Sequence, residues 1–404
     1  MIRNVSFGLL GLIVLTATAF FIFAPGIVER DMNTIDGKPL PEISAEAEAL
    51  HATLTIVDLH SDTLLWKRSL LTDSDRGHMD LGRLIEGNVA LQVFSRVTKT
   101  PTNQNYDNNS AEGDNVTPLV IGQLQPPRTW TSLLQRSRYH AEKLYAAAAN
   151  SDGALRVIST DTGIDALLAD RNGESTPVGA ILSTEGLHNL EGDIENLDVL
   201  YDNGMRMAGL THFFDNDLAG SMHGEEKGGL TPMGREAIRR MEDMGMIVDI
   251  AHCSHTCVGE ILDIARRPVV SSHGGVQATC EVNRNLTDDE IRGVAATGGI
   301  IGIGYWEGAV CDTSPEAVAS AMKHVRDLVG IEHVALGSDY DGAVTVRFDT
   351  SGLVHVTQAL TTAGFSEEDV RAVMGGNAIR VLKAGLVPLA DLPPEPDAEG
   401  PDDA

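Results

Sequence analysis

Two hydrophobic periods alternate along the chain. Short, nearly continuous apolar runs at 54–59, 89–95, 179–184, 206–211, 246–251, 268–272, 299–304 and 333–338 read as strands buried on both faces. Between them lie stretches with helical spacing of apolar positions, such as RTWTSLLQRSRYHAEKLYAAAAN and TPMGREAIRRMEDMGM. Eight such runs with intervening helices predict βα units and a parallel sheet. A count of eight predicts an α/β fold closed as a (β/α)8 barrel of the TIM type, not an open sheet. The polar stretch TKTPTNQNYDNNSAEGDNVTPL, the core of a 100–125 insertion, follows the second run and is too long for an ordinary connection. It reads as a lid or a disordered insertion.

The two ends break this pattern. From Asn4 to Val28 no residue is charged, and most are apolar. That is long enough for a membrane-spanning helix, which needs about 20 apolar residues. Residues 1–31 are therefore expected to form an N-terminal transmembrane anchor, with a cleaved signal peptide ending near Ala17-Thr18-Ala19 as the alternative. Arg3 precedes the span, so the positive side is N-terminal and the bulk of the chain is exported. The expected location is a bacterial inner membrane with the catalytic domain facing the periplasm. Residues 32–50 read as a linker, 51–386 as the barrel domain and 387–404 as a disordered acidic tail. That tail carries six acids after Lys383 and no base. Over the whole chain, 30 basic residues against 58 acidic ones give −28, which excludes nucleic acid as a natural partner. Four cysteines are too few for a disulfide scaffold, though in an exported domain they can pair.

Candidate chemistry sits where the strands end. TIVDLHSDT (55–63) runs from an apolar strand straight into His60 and Asp62, which extended geometry places on the same side of the chain. The third run ends at Glu185, the fourth at His212, the fifth at His252, the sixth at His273 and the eighth at Asp339. In a βα barrel all strand C-termini meet on one face, where active sites lie. Three imidazoles and two carboxylates, His60, Asp62, Glu185, His252 and His273, suit zinc first. Five ligands exceed what one catalytic zinc takes, so a carboxylate bridging two ions is expected. HCSHTC (252–257) could be read as a structural zinc clip, but strand alternation turns Cys253 away from His252. Cys253, Cys257 and His255 are expected to pack or to start a helix. Asp341 in GSDYDG reads as a turn residue beside Gly342. The remaining histidines, His78 and His223 among them, read as surface or structural.

On these residues the chain resembles the membrane dipeptidase (renal dipeptidase) family of binuclear zinc peptidases, a barrel of the metallo-dependent hydrolase type. The stretches that carry the likeness include DLHSDTLLW, GHMDLGRLIEGNVALQVFS, STEGLHNL, GGLTPMGREAIRRMEDMGMIVDIAHCS, PVVSSHGG, NRNLTDDEIR, GSDYDG and GGNAIRVL, in order from about Val57 to Leu382. The resemblance implies that His60 and Asp62 bind one zinc and His252 and His273 the other, with Glu185 bridging. It implies that His212 and Arg284 hold a dipeptide, that Asp339 meets its amino end or transfers a proton, and that Cys280 and Cys311 form a disulfide. Tolerance of a D-residue at the C-terminal position is implied as well, and a homodimer is compatible with this reading. The 100–125 insertion departs from the family pattern and bears on substrate preference. Two rivals stand beside the dipeptidase: another metal-dependent amidohydrolase acting on acylated amino acids or lactones, and a membrane-tethered binding protein that has lost activity.

Overall fold

Eight parallel strands close on themselves in the computed structural model, which describes residues 2–171 and 176–391, the side chains of 2–10 and 13 excepted. They are β1 (Ile56–Asp58), β2 (Val89–Phe94), β3 (Val178–Thr184), β4 (Met205–Gly209), β5 (Ile247–Asp249), β6 (Val270–Ser271), β7 (Ile300–Ile303) and β8 (Val334–Leu336). Each pairs in parallel with the next, and Leu336 of β8 pairs with Asp58 of β1, so the sheet has no break. Six lie within the predicted runs, β3 and β4 each begin one residue earlier than predicted, and helices separate them all. The result is a (β/α)8 barrel.

The pattern of the runs follows from two cores. Val57, Leu91, Val93, Ile181, Met207, Ile247 and Val270 point into the barrel, where Val381 and Leu382 of the helix Asn377–Gly385 join them. Their sequence neighbours Ile56, Phe94, Ala180, Leu182 and Val248 face the helical layer instead. Both faces of each strand are dry, so the runs are apolar throughout and do not alternate. The helix Pro232–Met244 is bounded by local signals. The Thr231 side chain accepts from the Gly234 N–H, and Gly245 ends the helix at φ +75°.

Several expectations about the periphery change. A short strand, Leu155–Val157, extends the sheet beside β3 and was not among the predicted runs. The segment expected as a linker contributes Thr34–Ile35, which pairs with Thr345–Val346, and the helix Ala45–His51. The 100–125 insertion, expected as a lid or as disordered, is packed, not loose. Asn109 donates from its backbone N–H to the His223 carbonyl at 2.8 Å, and residues Val116–Gly122 form a helix. Residues 392–404, most of the predicted acidic tail, lie outside the described residues.

The predicted transmembrane span is part of a helix, Ile2–Met32, with Pro25 inside it. Among the described residues, no helix is long and apolar enough to cross a membrane. The C-terminal part of this helix is docked on the barrel domain. Pro25 has no N–H to offer the Phe21 carbonyl one turn earlier, and Lys67 Nζ donates to that oxygen at 3.2 Å. Glu29 is buried between Arg68 and Arg76, at 2.6 and 2.8 Å. Polar docking of this kind was invisible to a hydropathy count. Leu12, Leu15, Phe20, Ile22, Phe23 and Ile27 stay exposed along the helix.

Candidate metal centre

Glu185, just past the C-terminal end of β3, is the hub of the barrel mouth. Its Oε1 lies 2.9 Å from His252 Nε2, 3.0 Å from His273 Nε2 and 3.5 Å from His60 Nε2. Its Oε2 lies 3.1 Å from His212 Nε2. His60 Nε2 in turn stands 3.6 Å from Asp62 Oδ1 and 3.8 Å from Asp339 Oδ1. All seven residues are buried, and they come from the ends of six strands. Three overlapping sets have ligand atoms close enough for one cation each: His60–Glu185–His273, Glu185–His212–His252 and His60–Asp62–Asp339. His212, expected to hold substrate, therefore also stands within ligating reach.

The backbone is bent to make this possible. His252 and Asp339 sit in the left-handed region at φ +64° and +59°, where a non-glycine residue costs on the order of 1 kcal/mol or more. Gly186 follows Glu185 at φ +83°, and a Cβ there would lie 3.2 Å from the His212 Cβ. These positive-φ positions fall just past the ends of β3, β5 and β8, at the barrel mouth.

Outer-shell residues fix the rings. Ser272 Oγ donates to Asp249 and lies 2.8 Å from His273 Nδ1, so it accepts the Nδ1–H. That tautomer leaves the His273 Nε2 lone pair facing Glu185. Asp58 accepts from the His60 backbone N–H at 3.0 Å and from Gln92 and Ser338. Neither Asp58 nor Asp249 was singled out from sequence, although both end the same tripeptide, IVD, shortly before a candidate ligand. That repetition was a usable signal.

Charge and orphaned atoms fit a cation here. His60 Nε2 and Asp62 Oδ1 are buried with no hydrogen-bond partner. His252 Nε2 and His273 Nε2 face each other at 3.1 Å, a poor arrangement for two lone pairs with no positive charge nearby. Burial pushes Glu185 well above the usual carboxylate range and Asp339 up to about 8. Burial opposes the charged form of His60, yet Glu185 and Asp62 hold its imidazole up at about 10. Burial keeps His252 and His273 neutral, as metal ligands must be. Imidazole nitrogens and carboxylate oxygens without a thiolate form a donor set that zinc accepts.

Arg284 and Asp339 flank the cluster. The Arg284 guanidinium is buried, donates to the His273 carbonyl at 2.8 Å and lies 5.8 Å from the Trp306 ring. Among the described residues it makes no salt bridge, so a carboxylate-seeking fork faces the mouth unpaired. Tyr106, from the insertion, accepts from Trp306 Nε1 at 3.1 Å and is half exposed at the rim. Cys280 and Cys311 are joined by a disulfide with Cα atoms 5.3 Å apart, and they bracket Arg284 and β7.

One sequence expectation holds and another gains a second meaning. Cys253 and Cys257 are free and buried, and His255 begins the helix His255–Ile264 and bonds Glu290 at 2.6 Å. Asp341 does lie in a turn, at φ +64°, but it is also fully buried. It accepts from the His78 N–H and Thr63 Oγ1, each at 2.6 Å, and pairs with Arg68.

Comparison with known proteins agrees with the geometry. The chain is 28% identical over 319 residues to dipeptidase tcpJ of Claviceps purpurea, covering 76% of this chain and 69% of that protein. It is 35% identical over 215 residues to dipeptidase aclJ of Aspergillus oryzae, where the match spans 51% of each chain, about half the length of that relative. In fold it resembles the probable dipeptidase PvdM from Pseudomonas aeruginosa, with TM-score 0.71, 19% identity and coverage of 84% of this chain and 98% of that one. It also resembles a metallo peptidase from Rhodobacter sphaeroides liganded with a phosphinate mimic of the dipeptide L-Ala-D-Ala, with TM-score 0.66, 22% identity and coverage of 82% and 99%. The family described as Membrane dipeptidase (Peptidase family M19) matches residues 44–387, and the chain belongs to that family.

Proposed function

We propose that the protein is a zinc-dependent dipeptidase holding two ions per chain and accepting a D-residue at the C-terminal position. The observation that carries this reading is Glu185, whose two carboxylate oxygens lie within 3.1 Å of the Nε2 atoms of His212, His252 and His273. In it, His60 and Asp62 would hold one ion and His252 and His273 the other, with Glu185 shared between the two sets. Bound zinc supplies Lewis acidity to the scissile carbonyl and lowers the pKa of water toward about 7. The chain supplies the rest. Arg284 pairs with the substrate α-carboxylate, for which its planar fork is suited. Asp339, held up at about 8, can keep or release a proton near neutral pH and lies on the side of the α-amino group. His212 stays neutral, because burial brings it down to about 4, and steadies negative charge that develops on the carbonyl oxygen. The D-residue assignment is supported by family membership and by the L-Ala-D-Ala mimic bound to the related metallo peptidase.

We further propose that the catalytic domain is exported and works on the periplasmic side of a bacterial inner membrane. The Cys280–Cys311 bridge supports an oxidising compartment, and the exposed apolar side chains of the N-terminal helix support a membrane-side setting. A dipeptide library that includes D-residues, assayed with and without a chelator, tests the proposed activity. Chelator-sensitive cleavage of dipeptides is expected, and cleavage of acylated amino acids or lactones in their place would favour the amidohydrolase rival.

A further inference from the structure

Two imidazoles approach Glu185 most closely, and only one has its outer nitrogen accounted for. His273 Nδ1 is bonded to Ser272, whereas His252 Nδ1 is buried without a hydrogen-bond partner. Beside His252 stands His223, fully buried, with its ring centroid 5.3 Å away. His223 Nδ1 lies 2.7 Å from the Tyr106 carbonyl oxygen, which can only accept, so this nitrogen carries the hydrogen. His223 Nε2 is therefore a lone-pair acceptor, and it too is buried without a partner. The ring has little freedom. Phe213 stacks on it at 4.4 Å and 15°, and Asn109 donates from both its backbone and its side chain to the His223 carbonyl.

An orphan donor and an orphan acceptor on neighbouring buried rings complement one another. Imidazoles that ligate metal through one nitrogen nearly always donate the other N–H to an outer-shell acceptor. We propose that His223 is a positioning residue for the metal centre: its Nε2 accepts the Nδ1–H of His252 through one bridging water. The contact holds His252 in the tautomer whose Nε2 lone pair faces Glu185. It also makes the insertion part of the centre's support, because Tyr106 sets the His223 tautomer and Asn109 its place. The inference rests on the reading of the cluster as a metal centre.

The test measures zinc affinity of the full chain by competition with a chromophoric chelator, for wild type, His223→Phe and His223→Gln. Phenylalanine keeps the ring stacked on Phe213 but offers no acceptor, and zinc affinity should fall roughly 10- to 100-fold. Glutamine restores an acceptor and should recover most of that loss. Equal affinity in wild type and His223→Phe overturns the inference while leaving the metal centre intact. A wild type that holds no zinc overturns the metal centre and this inference together. Nitrogen-15 NMR of histidine-labelled, zinc-loaded wild type gives a check that needs no variant. It should find His223 protonated on Nδ1 and bare on Nε2, and the reverse tautomer contradicts the assignment.

Discussion

Glu185 Oε1 stands 2.9 Å from His252 Nε2, although the two residues lie 67 positions apart in the chain. Three further imidazoles lie within 3.5 Å of that carboxylate, and in the proposed centre its charge would be shared between two cations. Glu185→Gln replaces an anion with a neutral amide and should lose at least about 100-fold in zinc affinity, since outer-shell changes alone cost 10- to 100-fold. Dipeptide hydrolysis should fall with it. Elemental analysis of the purified variant checks the first effect, and retained zinc would contradict the bridging role.

Truncating Arg284 to Ala should raise KM for free dipeptides and shrink the preference for them over C-terminal amides. Removing one partner of a buried charge pair costs on the order of 3–5 kcal/mol, so kcat/KM should fall by about 100-fold or more. Comparing one dipeptide with its amide, in wild type and Arg284→Ala, reads this directly. A wild type that cleaves both alike would mean that the carboxylate is not recognised.

The pH dependence of the metal-free protein has a definite sign. Asp339 and His60 are held up at about 8 and about 10, by burial in the first case and by Glu185 and Asp62 against burial in the second. Raised folded-state values mean that the folded chain binds more protons than the unfolded one, so their contribution to stability is lost as pH rises. His212 and His223, brought down by burial to about 4 and about 3, weaken the fold only below about pH 6.5. Between about pH 6.5 and 10 the stripped protein should therefore lose stability. Zinc takes the place of the missing protons, so the zinc-induced rise in Tm should grow over that window. A rise that stays constant or shrinks would contradict the assignment.

Cys280 and Cys311 close a loop of 31 residues. Chain-entropy arguments give such a bridge about 3–4 kcal/mol. Reduction should lower the urea midpoint accordingly and loosen the segment that carries Arg284. Thiol titration in denaturant without reductant should find two free thiols, from Cys253 and Cys257. Four thiols would contradict the bridge.

Much of the site was legible because barrel geometry turns strand ends into neighbours. His60, Glu185, His252, His273 and Asp339 each follow a readable apolar run, and closure brings them together. His223 was not legible: it follows no strand, and its contact with His252 depends on the backbone bond from the Met222 N–H to the His252 carbonyl at 2.9 Å. Asp341 was half legible. Its turn conformation was visible in the neighbouring glycine, whereas Arg68, Thr63 and His78 reach it from far along the chain. The N-terminal helix shows the limit of hydropathy, since the buried Glu29 that docks it lies one residue beyond the uncharged span.

The most direct test strips the protein with a chelator and measures the initial rate of dipeptide hydrolysis as zinc is added back in known equivalents. We expect no hydrolysis in the stripped protein and a plateau near two equivalents per chain. Hydrolysis that survives stripping, or that saturates at a single equivalent, would contradict a binuclear centre built on Glu185.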